Sequence, residues 1–354
     1  MQNSTTGMTS DYAHNDTFQE RVEVAAERLV VQAAGHVATV IPGAFVIVDY
    51  GCSTNPHSAT MLRAIGAIRA VDETREIAVV HNDLPSNDWS VLSRAVADPT
   101  SGYTSKAPNV YTMISPRSFF EAVVPRWSAH LGISFSAAHW LRTQPSLPAG
   151  SWCFSDAREP ARTQLADLAA QDWERFLLAR SHELAAGAVL IVSMIGTAGA
   201  EGGSNVTAHE LLRFMRETAE EFVGQGQLNR GVFEQFVFPT YARTAQEAQA
   251  PLLPGRGLAP YFDVLAIDIV PIANPYLELL DRGQTAEYVK RYLGFVRAFS
   301  AGTLLAHLFT PGAQTAKPAD LLDRYYARLA ERLAQDPTRG IFSDWTLNVM
   351  ARRR

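Results

Sequence analysis

Asp49 closes the apolar run "VIVDYG", and Gly51 follows it almost at once. Cys52, Ser53, Thr54 and Asn55 come next, and a helical pattern opens near Ser58. The free N–H groups of such a turn, with the helix N-terminus behind them, favour an anionic ligand group. The Asp49 carboxylate would accept hydrogen bonds from an ammonium. A pyrophosphate site needs further glycines so that the backbone can approach closely, and they are absent here. The turn therefore fits a smaller ligand, such as the amino-acid moiety of S-adenosylmethionine. An ordinary strand–turn–helix with a capping serine is the other reading of the same residues.

Three more segments carry side chains of the right type. "HNDLPSND" ends a second apolar run at Asp83, 34 residues beyond Asp49. An acid at that strand end binds ribose hydroxyls in doubly wound sheets, usually at a spacing of about 20 residues. The long stretch "GAIRAVDETRE" absorbs the difference, and opening a turn before Pro85 is the plainer use of such an acid. "SPRSFFEAVVP" places Ser118, Phe119 and Phe120 after a third candidate strand, where a ring and a hydroxyl could meet a nucleobase. "SFSAAHWL" ends a further strand with His139 and Trp140. An indole offers an N–H donor and a large apolar face, which suits an anion joined to an apolar body. His139 reads as a base, a donor or a satisfied core residue. The segments "SFFEAVV" and "LGISFSAAHWL" read as a short helix and a strand, respectively.

Other chemistries lack their signatures. The sequence has no G-x-S-x-G, no G-x-x-x-x-G-K-[ST] and no H-E-x-x-H. Its histidines are dispersed, no metal-ligand cluster stands out, and no metal is expected. Two cysteines, Cys52 and Cys153, form neither a disulfide framework nor a zinc site alone.

The elements that must position these residues follow from the hydrophobic pattern. The 354 residues are 47% hydrophobic and 19% charged, enough for a large packed core. A net charge of −5 with scattered Lys and Arg speaks against a nucleic-acid partner, and the terminal "ARRR" reads as a solvated tail. The first ten residues lack the form of a signal peptide, so a cytoplasmic location is expected. The run from Leu184 to Ala200 reads as a buried strand and its flank, and no membrane span is expected. A helix over 17–40 is followed by strands and helices in alternation to about residue 200. This predicts an α/β fold with a Rossmann-like, mostly parallel sheet whose ligands bind at the strands' carboxyl ends. The late stretches "YFDVLAIDIV" and "DWTLNVMARR" read as strands, separated by helices. The expected division is an α/β core over 1–205, a helical cap over 206–260 and 275–335, and closing strands over 261–274 and 340–354.

Taken in order, these segments resemble the SABATH family of S-adenosylmethionine-dependent carboxyl methyltransferases, which includes salicylate, benzoate and indole-acetate methyltransferases and related N-methyltransferases. "DYAHNDTFQ" matches its N-terminal pattern at Tyr12, Asn15 and Gln19. "DYGCSTNPHS" matches its first turn at Asp49, Gly51, Cys52, Ser53 and Pro56. "NDLPSND", Ser118 to Phe120 and "HWL" match its next three motifs, and the likeness runs loosely to the C-terminus. It implies a seven-stranded methyltransferase sheet with the last strand antiparallel, an inserted helical cap, and a homodimer. It implies S-adenosyl-L-methionine as cofactor, held by Tyr12, Asp49, Gly51, Ser53, Asp83, Leu84, Ser118 and Phe119. Gln19 and Trp140 would hold the carboxylate of a small-molecule acid through N–H donors, with His139 supporting the wall.

The sequence departs from that pattern at His57, where the family has asparagine, and at Ser136, where it has an aromatic. Asp11 stands where a serine is common, and "GTAGAEGGSN" lacks a bulky aromatic clamp. A small residue at Ser136 and an apolar cap agree with the fatty-acid O-methyltransferases among bacterial relatives of this family. A free fatty acid is therefore the expected substrate. Aromatic acids of the salicylate or benzoate type, small heterocycles methylated on nitrogen, and a non-catalytic ligand-binding protein are the alternatives.

Overall fold

The computed structural model describes residues 17–198, 207–341 and 344–354, apart from the Gln19 side chain. Helix α1 (Thr17–Val40) leads into β1 (Phe45–Tyr50), α2 (Ser58–Arg69), β2 (Ile77–Asp83), α3 (Trp89–Val96), α4 (Tyr103–Lys106) and β3 (Val110–Pro116). Then come β4 (Ala129–Phe135), α5 (Ala161–Glu183) and β5 (Leu184–Ile195). Helices α6 (His209–Gly224), α7 (Arg230–Gln235) and α8 (Ala245–Gln249) precede β6 (Phe262–Ile272). After it follow α9 (Leu277–Asp281), α10 (Thr285–Leu304), α11 (Thr310–Gly312), α12 (Pro318–Gln335) and β7 (Asp344–Arg353).

The seven strands form one sheet in the order β3-β2-β1-β4-β5-β7-β6. Strands β1 to β5 pair in parallel, and β7 runs antiparallel to both its neighbours, as expected for the class. The order reverses at β1, so a crevice opens beyond the carboxyl ends of β1 and β4. Register aligns Asp49 with His81 and Tyr50 with Asn82, which brings the ends of β1 and β2 level at that crevice. Because β7 runs backwards, its first residues reach the same edge: Thr346 pairs with Ile195, the last residue of β5.

Apolar residues of α1 recur at Val22, Ala26, Val30, Ala33 and Val37, one stripe of a helix, and all are buried. From Ala26 onward they pack with α2, β1 and β4 in one core layer. Trp173 and Phe176 of α5 fill the opposite face of the sheet. A third cluster joins α6, α10 and α12, and Phe18 and Val22 at the start of α1 belong to it. A single helix, Thr285–Gly312, is long and apolar enough to cross a membrane among the described residues. Its Tyr288, Tyr292 and Phe295 are buried in that third cluster, as in a core helix.

Several local expectations are corrected. The segment Ser118 to Val124 is a series of turns and not a helix. The buried Arg180 spends its guanidinium on the carbonyls of Phe119 (2.8 Å) and Glu121 (2.9 Å), while Glu183 accepts the Val123 N–H. Those are the backbone groups that a helix would have used internally. Strand β4 ends at Phe135, so His139 and Trp140 sit on the turn after it. Helix α2 is capped by His57 in the left-handed region (φ 47°) with no side-chain cap bond, and not by a serine. Helix α10 ends its regular part at Leu304 and continues as one π turn, Leu305–Phe309.

Candidate functional site

At the carboxyl end of β1, Asp49 is fully buried. Its Oδ2 pairs with His81 Nδ1 at 3.0 Å, and His81 Nε2 meets the Tyr103 hydroxyl at 3.0 Å. Asp49 Oδ1 has no partner. Gly51 has φ 80°, and a Cβ there would lie 2.4 Å from Ala137 Cβ and 3.3 Å from the Phe119 ring. Glycine is thus required twice over, by backbone conformation and by the close approach of the neighbouring turn. The N–H groups of Gly51 and Cys52 both donate to the Asn82 carbonyl, at 2.8 and 3.0 Å.

Asp83 ties β2 to the same turn. Its Oδ2 accepts the Ser53 N–H and its Oδ1 the Leu84 N–H, both at 2.7 Å. Burial pushes this carboxyl up to about 6, against those two hydrogen bonds, and nearby Asp49 adds to the rise. Gly51, Ser53, Asp83, Leu84 and Phe119 are therefore gathered beside Asp49. Ser118 sits in the adjoining turn, its Oγ accepting the Phe120 N–H at 3.4 Å. Tyr12 lies outside the described residues, and so does the side chain of Gln19, whose backbone belongs to α1.

The fold also unites Asp49, Cys52 and His81, whose ligand-type atoms lie within 4.8 Å of one another, a grouping that the linear sequence does not show. Burial, with Asp49 and Asp83 nearby, pushes the Cys52 thiol well above its ordinary range. It stays protonated and donates to the Ser53 carbonyl at 3.3 Å, while His81 bridges Asp49 and Tyr103. Through these bonds the trio braces the turn.

A second site lies alongside. Ser136, His139 and Trp140 line one cavity of ≈80 Å³. Phe18 and Val22 of α1, Met194 of β5 and Phe295 and Phe299 of α10 make much of it apolar. The indole Nε1 of Trp140 is buried and has no partner. The ring is held by His139 (centroids 6.0 Å apart, stacked) and Phe238 (5.7 Å). His139 Nδ1 lies 3.5 Å from the Ile195 N–H, and burial together with Arg243 pushes its pKa down to about 3. The imidazole is neutral at working pH and too weak for a general base. Its place is in the wall that orients Trp140.

Three residues went unnoticed in the sequence. Arg243 is fully buried and holds the Ser136–Trp140 turn from behind, donating to the carbonyls of Ala138 (3.0 Å) and Ala169 (2.7 Å). Glu23 of α1 pairs with His57 Nδ1 at 2.9 Å, both side chains buried. Asp344, the first residue of β7, lines the cavity at 3% exposure, and burial pushes its carboxyl up to about 7. An acid at the head of the closing strand was the one signal available for Asp344.

Residues 1–343 match the family model described as SAM dependent carboxyl methyltransferase. A methyltransferase named FUS9 from Gibberella fujikuroi is 32% identical over 241 residues, which cover 67% of this chain and 64% of that protein. The chain thus spans under two thirds of the length of that fungal relative. Loganic acid O-methyltransferase of Catharanthus roseus is 24% identical over 260 residues, 67% of this chain and 68% of the relative. A solved loganic acid methyltransferase with SAH superposes with a TM-score of 0.80 at 21% identity, over 99% of this chain and 98% of the other, and shares the fold.

Proposed function

Because this chain belongs to the S-adenosylmethionine-dependent carboxyl methyltransferases, we propose that it methylates a carboxylate held at Trp140, giving the methyl ester. The observation that carries this reading is the buried indole Nε1 without a partner, set in an apolar cavity. Such a donor is costly to leave unmade and suits an incoming anionic acceptor.

The turn fits the family's cofactor. Asp49 Oδ1 is an orphaned buried acceptor, and Gly51 leaves the backbone bare where a Cβ would collide. Asp49, Gly51, Ser53 and Asp83 would hold S-adenosylmethionine, which supplies an electrophilic methyl group on a sulfonium. A carboxylic acid is ionised near neutral pH, so the protein need not remove a proton. Its work is to desolvate the carboxylate in the apolar cavity and aim one oxygen through the Trp140 N–H. Gln19 is proposed as a second donor to the same carboxylate.

For the acid itself we propose a free fatty acid, supported by the small Ser136 and the aromatic and aliphatic lining. Aromatic acids remain the runner-up. A homodimer and a cytoplasmic location belong to the same proposal; the free, buried thiols Cys52 and Cys153 agree with a reducing compartment. Incubating the protein with S-adenosylmethionine and a panel of aliphatic acids, aromatic acids and N-heterocycles tests it. Transfer only to aromatic acids would overturn the fatty-acid choice, and transfer only to ring nitrogens the carboxyl reading.

A further inference from the structure

Two residues that line the same cavity each carry a buried polar atom without a partner, and the two atoms are of opposite kind. Trp140 Nε1 is a donor lacking an acceptor, and Asp344 Oδ1 is an acceptor lacking a donor. Asp344 is 3% exposed, and no ion pair holds it among the described residues. Thr207 and the Trp345 N–H hydrogen-bond the Asp344 carboxyl group, yet Oδ1 is left without a partner, and the Thr207 hydroxyl also donates to the Gly196 carbonyl (2.7 Å). A buried acceptor in an otherwise apolar setting is unfavourable until a donor arrives. The substrate carboxylate cannot be that donor, because an ionised carboxylate only accepts hydrogen bonds. The two orphans therefore describe one ligand: an anion at Trp140 and a hydrogen-bond donor elsewhere on the body.

We infer that the preferred acid carries a hydroxyl group on its apolar body and that Asp344 Oδ1 receives it, so hydroxylated aliphatic acids are favoured over unsubstituted ones. This rests on the carboxyl-methylation reading above. It goes beyond that reading, because a plain fatty acid would leave Asp344 Oδ1 buried without a donor. Sites that bond a substrate hydroxyl discriminate strongly against analogues lacking it, whereas apolar pockets reject an added hydroxyl only weakly.

The test uses the full chain with S-adenosylmethionine and four probes: dodecanoic acid and its 3-, 7- and 12-hydroxy derivatives. At least one hydroxy acid should exceed dodecanoic acid in kcat/KM by about tenfold or more. Asp344→Val should bring that ratio to about one. If Asp344→Val does not fold, the isosteric Asp344→Asn, which replaces one oxygen by a donor, should lower the ratio at least about threefold. A wild-type preference for dodecanoic acid over all three derivatives would overturn the inference, and so would a ratio indifferent to substitution at Asp344. Calorimetric titration of the same acids into the protein saturated with S-adenosylhomocysteine reads the preference without turnover. Absence of methylation for every acid would then count against the reaction. Equal affinity for plain and hydroxylated acids would count against the role of Asp344.

Discussion

Replacing Trp140 by phenylalanine separates a functional group from a structural one. The variant keeps an aromatic ring against Phe238 and His139 but lacks the Nε1–H. A hydrogen bond to a charged acceptor contributes about 1.5–3 kcal/mol, so kcat/KM for the acid should fall roughly 10- to 150-fold. Stability should hardly change, for a reason visible in the free protein. The indole N–H has no partner there, and leaving such a group buried costs about 1–3 kcal/mol, which the substitution relieves. Loss of the second ring's packing costs on the order of 1 kcal/mol in return. Steady-state kinetics, chemical denaturation and calorimetry of S-adenosylmethionine binding read the three quantities. A variant with unchanged kcat/KM would refute the reasoning. So would one that loses cofactor affinity as severely as activity, because the indole lines the acid's cavity and not the β1 turn.

Gly51→Ala should weaken cofactor binding and destabilise the fold by about 2–5 kcal/mol, adding a left-handed-region cost to overpacking against Ala137; denaturation with and without cofactor measures both. Asp344 sets a pH dependence. Its carboxyl rises from 3.8 to about 7, so its stabilising contribution is complete below pH 3.8 and is lost as pH rises through 7. The shift corresponds to about 4 kcal/mol, so Asp344→Asn should gain about that much on the wild type between pH 4 and pH 8, and a constant difference across that range would contradict it. Glu23→Ala strips His57 of a buried partner and should cost about 3–5 kcal/mol in equilibrium unfolding.

The sequence disclosed whatever depends on neighbours along the chain. The strand end at Asp49, the glycine turn and the helix from Ser58 are local patterns, and the structure brings Asp83 to them by parallel register. Ser136, His139 and Trp140 occupy one short stretch and face one cavity. What escaped depends on distant partners. The turns at Ser118 to Val124 carry an apolar pattern compatible with a helix, and a guanidinium some 60 residues away decides otherwise. Arg243 and Asp344 reach the site only because the chain returns from its later half, and no periodicity encodes that return. His57 stood out as a departure from a pattern, but its reason, Glu23, lies on another helix.

The first turns of helix α1 touch both compartments. Phe18 and Val22 face the acid's cavity, while Glu23, the very next residue, grips His57 at the start of α2, behind the cofactor turn. Any shift of this helix that improves its fit to one ligand is felt by the other. Thermodynamic reciprocity then requires that, by whatever factor bound acid raises the affinity for cofactor, bound cofactor raises the affinity for acid by the same factor. Any coupling carried by the helix would make the apparent affinity at each site depend on the occupancy of the other.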